Sequence, residues 1–431
     1  EPRFAQGTGK RTYRQSRIFA LFLAIPTAGC GVADEAATDQ ATRVIRPGVE
    51  VLISDSLHLV SGKRVGLVTN HTGIDRTGRT DIDILADHPD VDLVALYSPE
   101  HGIRGEERAG AAIESGLDEQ TGLPIHSLYG ETRKPTPAML ANVDVLVFDM
   151  QDIGARYYTY VSTMALAMEA CAEAGVRFIV LDRPNPIGGV VREGPVLRQG
   201  YESFVGLHPI PLRHGLTSGE LARWLVRVRG IDVDLTVVPC MGWRRWMHWD
   251  DTGLPWVMPS PNLPTLSSCE AYPGMVLFEG TLVSEGRGTT RPFELIGAPW
   301  LDPQALLQTA HSSLGEGVKL RPCYFEPTFQ KHMNEVCGGV QLHVTDRDSF
   351  RSVRAAVALF SACRSVGGAS FPWRQPPYEY EKTLMPIDML WGHDGLRAGI
   401  DSGAMPDEIF EGVELELTEF GAEIEPDLLY E

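Results

Sequence analysis

Apolar runs of five or more residues recur through the first half of the chain, separated by segments whose apolar positions fall at helical spacing. Val65–Thr69, Val91–Tyr97, Val143–Phe148, Val176–Leu181 and Val233–Val238 read as buried strands. Asp81–His88, Tyr158–Ala174 and Ser218–Val228 read as helices, with Gly175 a natural stop for the second and a Ser/Gly cap opening the third. Strand, helix and strand in repetition predict an α/β fold built on a Rossmann-like, doubly wound parallel sheet. From Gly242 to Pro264 the pattern breaks. Trp243, Trp246, Trp249 and Trp256 stand among Pro255, Pro259, Pro261 and Pro264, a long irregular segment whose tryptophans either stack on a ligand or fill a core. Beyond it, helices over Leu301–Leu314 and Ser349–Ser365 and a strand over Gly339–Val344 predict a second, smaller α+β domain.

The ends of three strands carry the candidate chemistry. Val91–Tyr97 runs into Ser98-Pro99-Glu100-His101-Gly102, Val143–Phe148 into Asp149-Met150-Gln151-Asp152-Ile153-Gly154, and Phe178–Leu181 into Asp182-Arg183-Pro184-Asn185-Pro186. Open α/β sheets bind ligands outside the carboxyl ends of their strands, so one rim is expected to receive Glu100, Asp149 and Asp182. Val65–Thr69 ends in Asn70-His71 at the same edge. The segment from Gln151 to Tyr158 stands just before a helix, where backbone amides and Arg156 are suited to an anion. The second domain contributes Phe278-Glu279-Gly280-Thr281 and Ser284-Glu285-Gly286-Arg287-Gly288-Thr289, whose glycines permit close approach of a ligand.

Charge and missing motifs narrow the choice. The 431 residues hold 38 Lys+Arg against 57 Asp+Glu, a formal net charge of −19, which argues against nucleic acid as a partner. No G-x-G-x-x-G follows a predicted strand and no P-loop lysine pattern occurs, which argues against NAD or ATP; no cofactor is expected. Neither G-x-S-x-G nor H-E-x-x-H is present. His71, His101, Asp149 and His214 remain a spatial possibility for a metal-dependent hydrolase, although no metal is expected. Cleavage of a glycosidic bond needs a proton donor and usually a second carboxylate. Glu100 suits the donor role, because an apolar strand and Pro99 favour partial burial and a raised pKa.

At the amino end, Arg11, Arg14 and Arg17 precede the apolar run Ile18–Ile25 and then Thr27-Ala28-Gly29-Cys30. A basic region, a short apolar region and small residues before a Cys predict a lipoprotein signal peptide over 1–29, with Thr27 where Leu is more usual. Lipid attachment at Cys30 and a tether to residue 47 follow, so export to the bacterial cell envelope is expected, with the lipid as the only membrane contact. The Rossmann-like domain is then 48–265 and the C-terminal domain 266–431. The other six cysteines include no C-x-x-C pair; Cys171 reads as a buried thiol, and Cys323–Cys337 is the one pair close enough to suggest a local bridge.

Five long segments carry a resemblance, in order and at matching spacing. They are Tyr97–Gly110 (YSPEHGIRGEERAG), Phe148–Tyr160 (FDMQDIGARYYTY), Leu181–Gly189 (LDRPNPIGG), Pro259–Thr265 (PSPNLPT) and Phe278–Trp300 (FEGTLVSEGRGTTRPFELIGAPW). The late FPWRQPPYEYE and Met385-Pro386-Ile387-Asp388 agree with them. Together they resemble the NamZ-type exo-β-N-acetylmuramidases, glycoside hydrolase family 171, from about Glu50 to the C-terminus. The resemblance implies a Rossmann-like domain joined to a smaller C-terminal domain, a site in the cleft between them, and release of terminal N-acetylmuramic acid from peptidoglycan-derived muramyl oligosaccharides. It also implies that Glu100 is the catalytic acid. Chemistry suggests His101, Asp152 and Glu279 as its catalytic companions, with the substrate's own acetamido group as an alternative to Asp152 or Glu279. Asn70, Asp149, Arg156, Tyr157, Arg183, Asn185, Asn262, Glu285 and Arg287 are the expected substrate contacts. Arg156 or Arg287 is the expected reader of the lactyl carboxylate. Leu282 departs from the family pattern, where a polar residue is expected.

Overall fold

The computed structural model describes residues 44–100, 102–104, 115–130, 132–368 and 372–431. Cys30 and His101 lie outside the described residues.

The first sheet has seven strands: β1 (Arg64–Thr69), β2 (Asp92–Ser98), β3 (Gly116–Leu117), β4 (Pro124–Ser127), β5 (Val145–Asp149), β6 (Arg177–Leu181) and β7 (Leu235–Val238). Their spatial order is β3-β4-β2-β1-β5-β6-β7, and every pairing is parallel except β3 with β4. The continuous apolar runs follow from burial on both faces. In β5, Val145 and Val147 pack with Val49, Leu52, Ile82 and Leu85 beneath one face, while Leu146 and Phe148 pack with Met164, Ala167 and Cys171 on the other. The helices Gly48–Asp55 and Asp81–Ala86 cover the first face, and the helix Tyr160–Ala174 lies on the second. That last helix ends where Gly175 takes a left-handed φ of 67°. The helix Ser218–Arg229 opens with a capping box, in which Thr217 accepts from the Glu220 N–H and Glu220 returns the bond.

The second sheet is smaller and antiparallel, with β8 (Leu295–Ala298), β9 (Val318–Phe325) and β10 (Cys337–Val344) in the order β8-β10-β9. The helices Leu266–Met275 and Pro303–Ala310 pack against it, and Ser352–Gly367 packs on those two helices. The doubly wound sheet with a smaller second domain agrees with the expectation, and β3, β4, β8 and β9 are strands it did not contain. One apolar core is shared: Phe148 and Met164 belong to the same packed cluster as Leu277, Phe293 and Ile296. Trp243 and Trp249 are buried and Trp256 packs half-buried against the core, whereas Trp246 is exposed, so three of the four tryptophans serve packing. Cys323 and Cys337 are both free and buried on adjacent strands, so the bridge considered from their spacing is not formed.

Candidate active site

Beyond the end of β2, the chain meets the second domain around a cavity of about 440 Å³. That volume lies in the range of about 300–1,000 Å³ typical of small-molecule sites. Glu100 lines it, two residues past the last residue of β2. Thr159, at the N-cap position of the helix Tyr160–Ala174, makes no cap bond with its side chain. Its hydroxyl instead donates to Glu100 Oε2 at 2.8 Å, which fixes the carboxyl against the helix start.

The opposite wall comes from the second domain. Glu279 lies on the 3-10 turn Val276–Gly280, and both of its oxygens are engaged: Arg287 donates to Oε1 and the Tyr378 hydroxyl to Oε2 at 2.7 Å. Arg287 also faces Glu285 at 3.7 Å. Lys331 donates to Glu285 Oε2 at 2.7 Å and to the carbonyls of Phe278 and Val283. Burial opposes the charge on Glu285, but Lys331 and Arg287 outweigh it and hold its pKa below the usual carboxylate range. Glu379 behaves differently. Burial first, and then Glu100 and Glu279 nearby, push its pKa up to about 7. Tyr157, Tyr158, Tyr272 and Phe293 supply aromatic surface to the same cavity.

Backbone strain gathers here. Phe293 (φ 63°), Gln330 (φ 64°), Glu379 (φ 44°) and Tyr380 (φ 71°) all take left-handed conformations, and all four line the cavity. Such non-glycine positions cost on the order of 1–3 kcal/mol each and cluster where a site over-determines them.

Comparison with known proteins decides the family. The model for the N-terminal part of exo-beta-N-acetylmuramidase NamZ matches residues 65–267, and that for its C-terminal part matches residues 270–430. The chain belongs to the NamZ exo-β-N-acetylmuramidase family. A peptidoglycan beta-N-acetylmuramidase NamZ of Bacillus subtilis (strain 168) is 45% identical, over 96% of this chain and 99% of that protein. Crystal structures of two DUF1343 family proteins from Bacteroides fragilis NCTC 9343 are also similar. One has a TM-score of 0.82 at 37% identity and the other 0.73 at 32%, each covering 90% of this chain and 99% of its own.

Within this NamZ-family cavity the structure brings together Glu100, Tyr157, Asn262, Glu279, Glu285 and Arg287 from the residues expected on sequence. The other described ones lie elsewhere, for identifiable reasons. Arg156 is a correction: its guanidinium is buried and donates to the carbonyls of Pro195, Ile210 and Leu390, where burial pulls its pKa down to about 10. It ties three segments together and does not line the cavity. Asp149 and Arg183 are a second correction. They form a buried two-pronged ion pair, with Arg183 Nη2 to Asp149 Oδ2 at 2.9 Å, and neither reaches the cavity. Burial and then Asp149 push neighbouring Asp81 well above the carboxylate range. Asp182 accepts from Thr217, Gly219 N and Tyr430, so the expected rim of three strand-end carboxylates reduces to Glu100.

Asp152 is likewise corrected, since its Oδ2 accepts the Gly154 N–H at 2.7 Å and lies 3.6 Å from buried His214. Asn185 is buried, holding the Leu216 carbonyl and the Ile187 N–H. Asn70 does not line the cavity. Its amide donates to Tyr160 Oη, and Tyr160 and Tyr158 both donate to the Pro259 carbonyl, so Asn70 braces the turn that carries Asn262. His71, Asp149 and His214 have separate partners, and no group of three metal-ligating side chains gathers among the described residues. Leu282 is exposed and does not line the cavity. Residues that sequence reasoning did not place are Lys331, Arg374, Tyr378 and Glu379. The last three lie in the FPWRQPPYEYE segment that carried part of the resemblance; nothing in the sequence marked Lys331.

Proposed function

We propose that this protein is an exo-acting glycoside hydrolase that releases N-acetylmuramic acid from the non-reducing end of peptidoglycan fragments. The observation that carries the reading is one small cavity lined by both Glu100 and a Glu279 whose two oxygens are both engaged. The curated Bacillus subtilis relative is named for the same activity. In this reading the Glu100 carboxyl protonates the glycosidic oxygen as the bond to the anomeric carbon breaks. Water then supplies the new hydroxyl at that carbon. Glu279 acts as a fixed negative charge facing the oxocarbenium-like transition state, and its engaged oxygens disfavour it as an attacking group.

General acid catalysis is typically worth about 10² to 10⁴ in rate. Glu100→Gln keeps the shape and removes the proton. Its kcat on natural disaccharides should fall by that order, while a chromogenic N-acetylmuraminide with a good leaving group should suffer much less. Equal losses on both substrates would assign Glu100 another role, and an unimpaired variant would remove it from the chemistry.

Export and lipid attachment through Cys30 belong to the same proposal, supported by the basic and apolar residues before it. Cys30→Ser should shift the protein from the membrane fraction to the soluble one. A parent protein that already fractionates as soluble would refute the attachment.

A further inference from the structure

Three cationic side chains line the cavity: Arg287, Lys331 and Arg374. Two are already engaged. Arg287 is held by Glu279 and Glu285, and Lys331 by Glu285 and two backbone carbonyls. Arg374 is built differently. Its segment is stitched to the one that carries Glu279, because Arg374 N donates to the Gly280 carbonyl at 2.9 Å and Leu282 N to the Pro372 carbonyl at 2.8 Å. Its guanidinium lies over the Tyr378 ring, 4.8 Å from the centroid. Tyr378 is itself held by Glu279. Among the described residues, no carboxylate stands within ion-pair distance of Arg374, and its side chain makes no hydrogen bond. Stacking on a ring uses the face of a guanidinium and leaves its N–H edge open.

We propose that Arg374 is the specificity-determining residue that reads the lactyl carboxylate of the substrate. The proposal rests on the muramidase reading and deepens it. An anionic group entering a cavity that also holds Glu100, Glu279, Glu285 and Glu379 needs a cation not already spent on those carboxylates. Arg374 is ion-paired with none of them among the described residues, Glu379 feeling its charge only from beyond ion-pair distance, and its planar fork matches a carboxylate two-prongedly. The same count demotes Arg287, whose guanidinium has two carboxylates already.

The test uses two chromogenic substrates, an N-acetylmuraminide with a free lactyl carboxylate and its lactyl methyl ester, with Arg374→Ala and Arg374→Lys in the full chain. A charge-assisted contact of this kind supports an increase in KM on the order of 10- to 100-fold for the acid on Arg374→Ala. Saturated kcat should stay within a few-fold, and the ester should be affected little by the same change. Arg374→Lys, which keeps the charge and loses the fork, should fall between. Parental kcat/KM on the acid in both variants, or equal losses on acid and ester, would overturn the proposal while leaving the muramidase reading in place. A parent enzyme that cleaves neither muraminide would sink both.

Discussion

Glu379 occupies a left-handed position on the wall that also carries Arg374, and burial with Glu100 and Glu279 beside it pushes its pKa up to about 7. Below that pH the group is neutral; above it, a further negative charge appears inside the cavity. For a substrate carrying a lactyl carboxylate, binding should therefore weaken as pH rises through neutrality. KM should be level below about pH 6 and climb between about pH 6 and 8, with kcat following its own profile. Glu379→Gln is neutral throughout, so its KM should stay level across the same range. A rise that persists in the Gln variant would belong to another group. Arg156 and Arg374 show what a residue's letter leaves open. Both stand next to an aromatic residue in sequence, Tyr157 for one and Trp373 for the other, and the one before a helix start looks the better anion reader. Depth decides otherwise: Arg156 is buried with both terminal nitrogens on backbone carbonyls, while Arg374 lies over a tyrosine ring and its side chain makes no hydrogen bond among the described residues.

Strand ends explain which parts of the molecule could be read from sequence. The runs that became β1, β2, β5 and β6 are largely apolar on both faces, a pattern that a buried parallel strand requires and that few other elements share, while the edge strand β7 is half-buried. Their carboxyl ends were therefore visible, and Glu100 with them. The direction each terminal carboxylate faces was not visible, because it depends on partners far along the chain. Asp149 is consumed by Arg183 from the end of β6, and Asp182 by the first turn of the helix Ser218–Arg229. Of the three strand-end acids, only the one after β2 lines the cavity. The second domain was less legible for a related reason. In β9, buried positions are interspersed with exposed Lys319, Arg321 and Tyr324, and the helix Leu266–Met275 carries Pro273 inside it. Lys331 sits in the connection from β9 to β10, where no periodicity marks a position as inward.

Across the whole molecule, the C-terminal tail returns to the first sheet and closes the structure. Tyr430 donates to Asp182 Oδ2 at 2.6 Å, Leu429 N to Glu220 Oε1 at 2.9 Å, and Arg227 pairs with Asp427. With one core running through both sheets, these links predict that the described body unfolds as a unit and that Asp182 reports on it. Burial pushes the Asp182 pKa up to about 6, against the lowering effect of Tyr430, Thr217 and the Gly219 N–H. The unfolded value is about 3.9. Between about pH 4 and 6 the folded chain thus holds a proton that the unfolded chain has released. This group's contribution to stability is largest below that window and declines as pH rises through it, by at most about 1.4 kcal/mol per pH unit. Asp182→Asn abolishes the titration. It also loses hydrogen bonds, but that cost is a constant offset, whereas the proton appears as a slope. Urea unfolding of parent and variant at several pH values should show the variant gaining on the parent from about pH 4 to 6 and levelling off above. Tyr430→Phe removes a hydroxyl that lowers the Asp182 pKa, so it should carry the parent's decline to higher pH. A difference between parent and Asp182→Asn that is flat from pH 4 to 7 would mean that Asp182 is charged throughout, and that the tail bonds to a carboxylate rather than to a carboxylic acid.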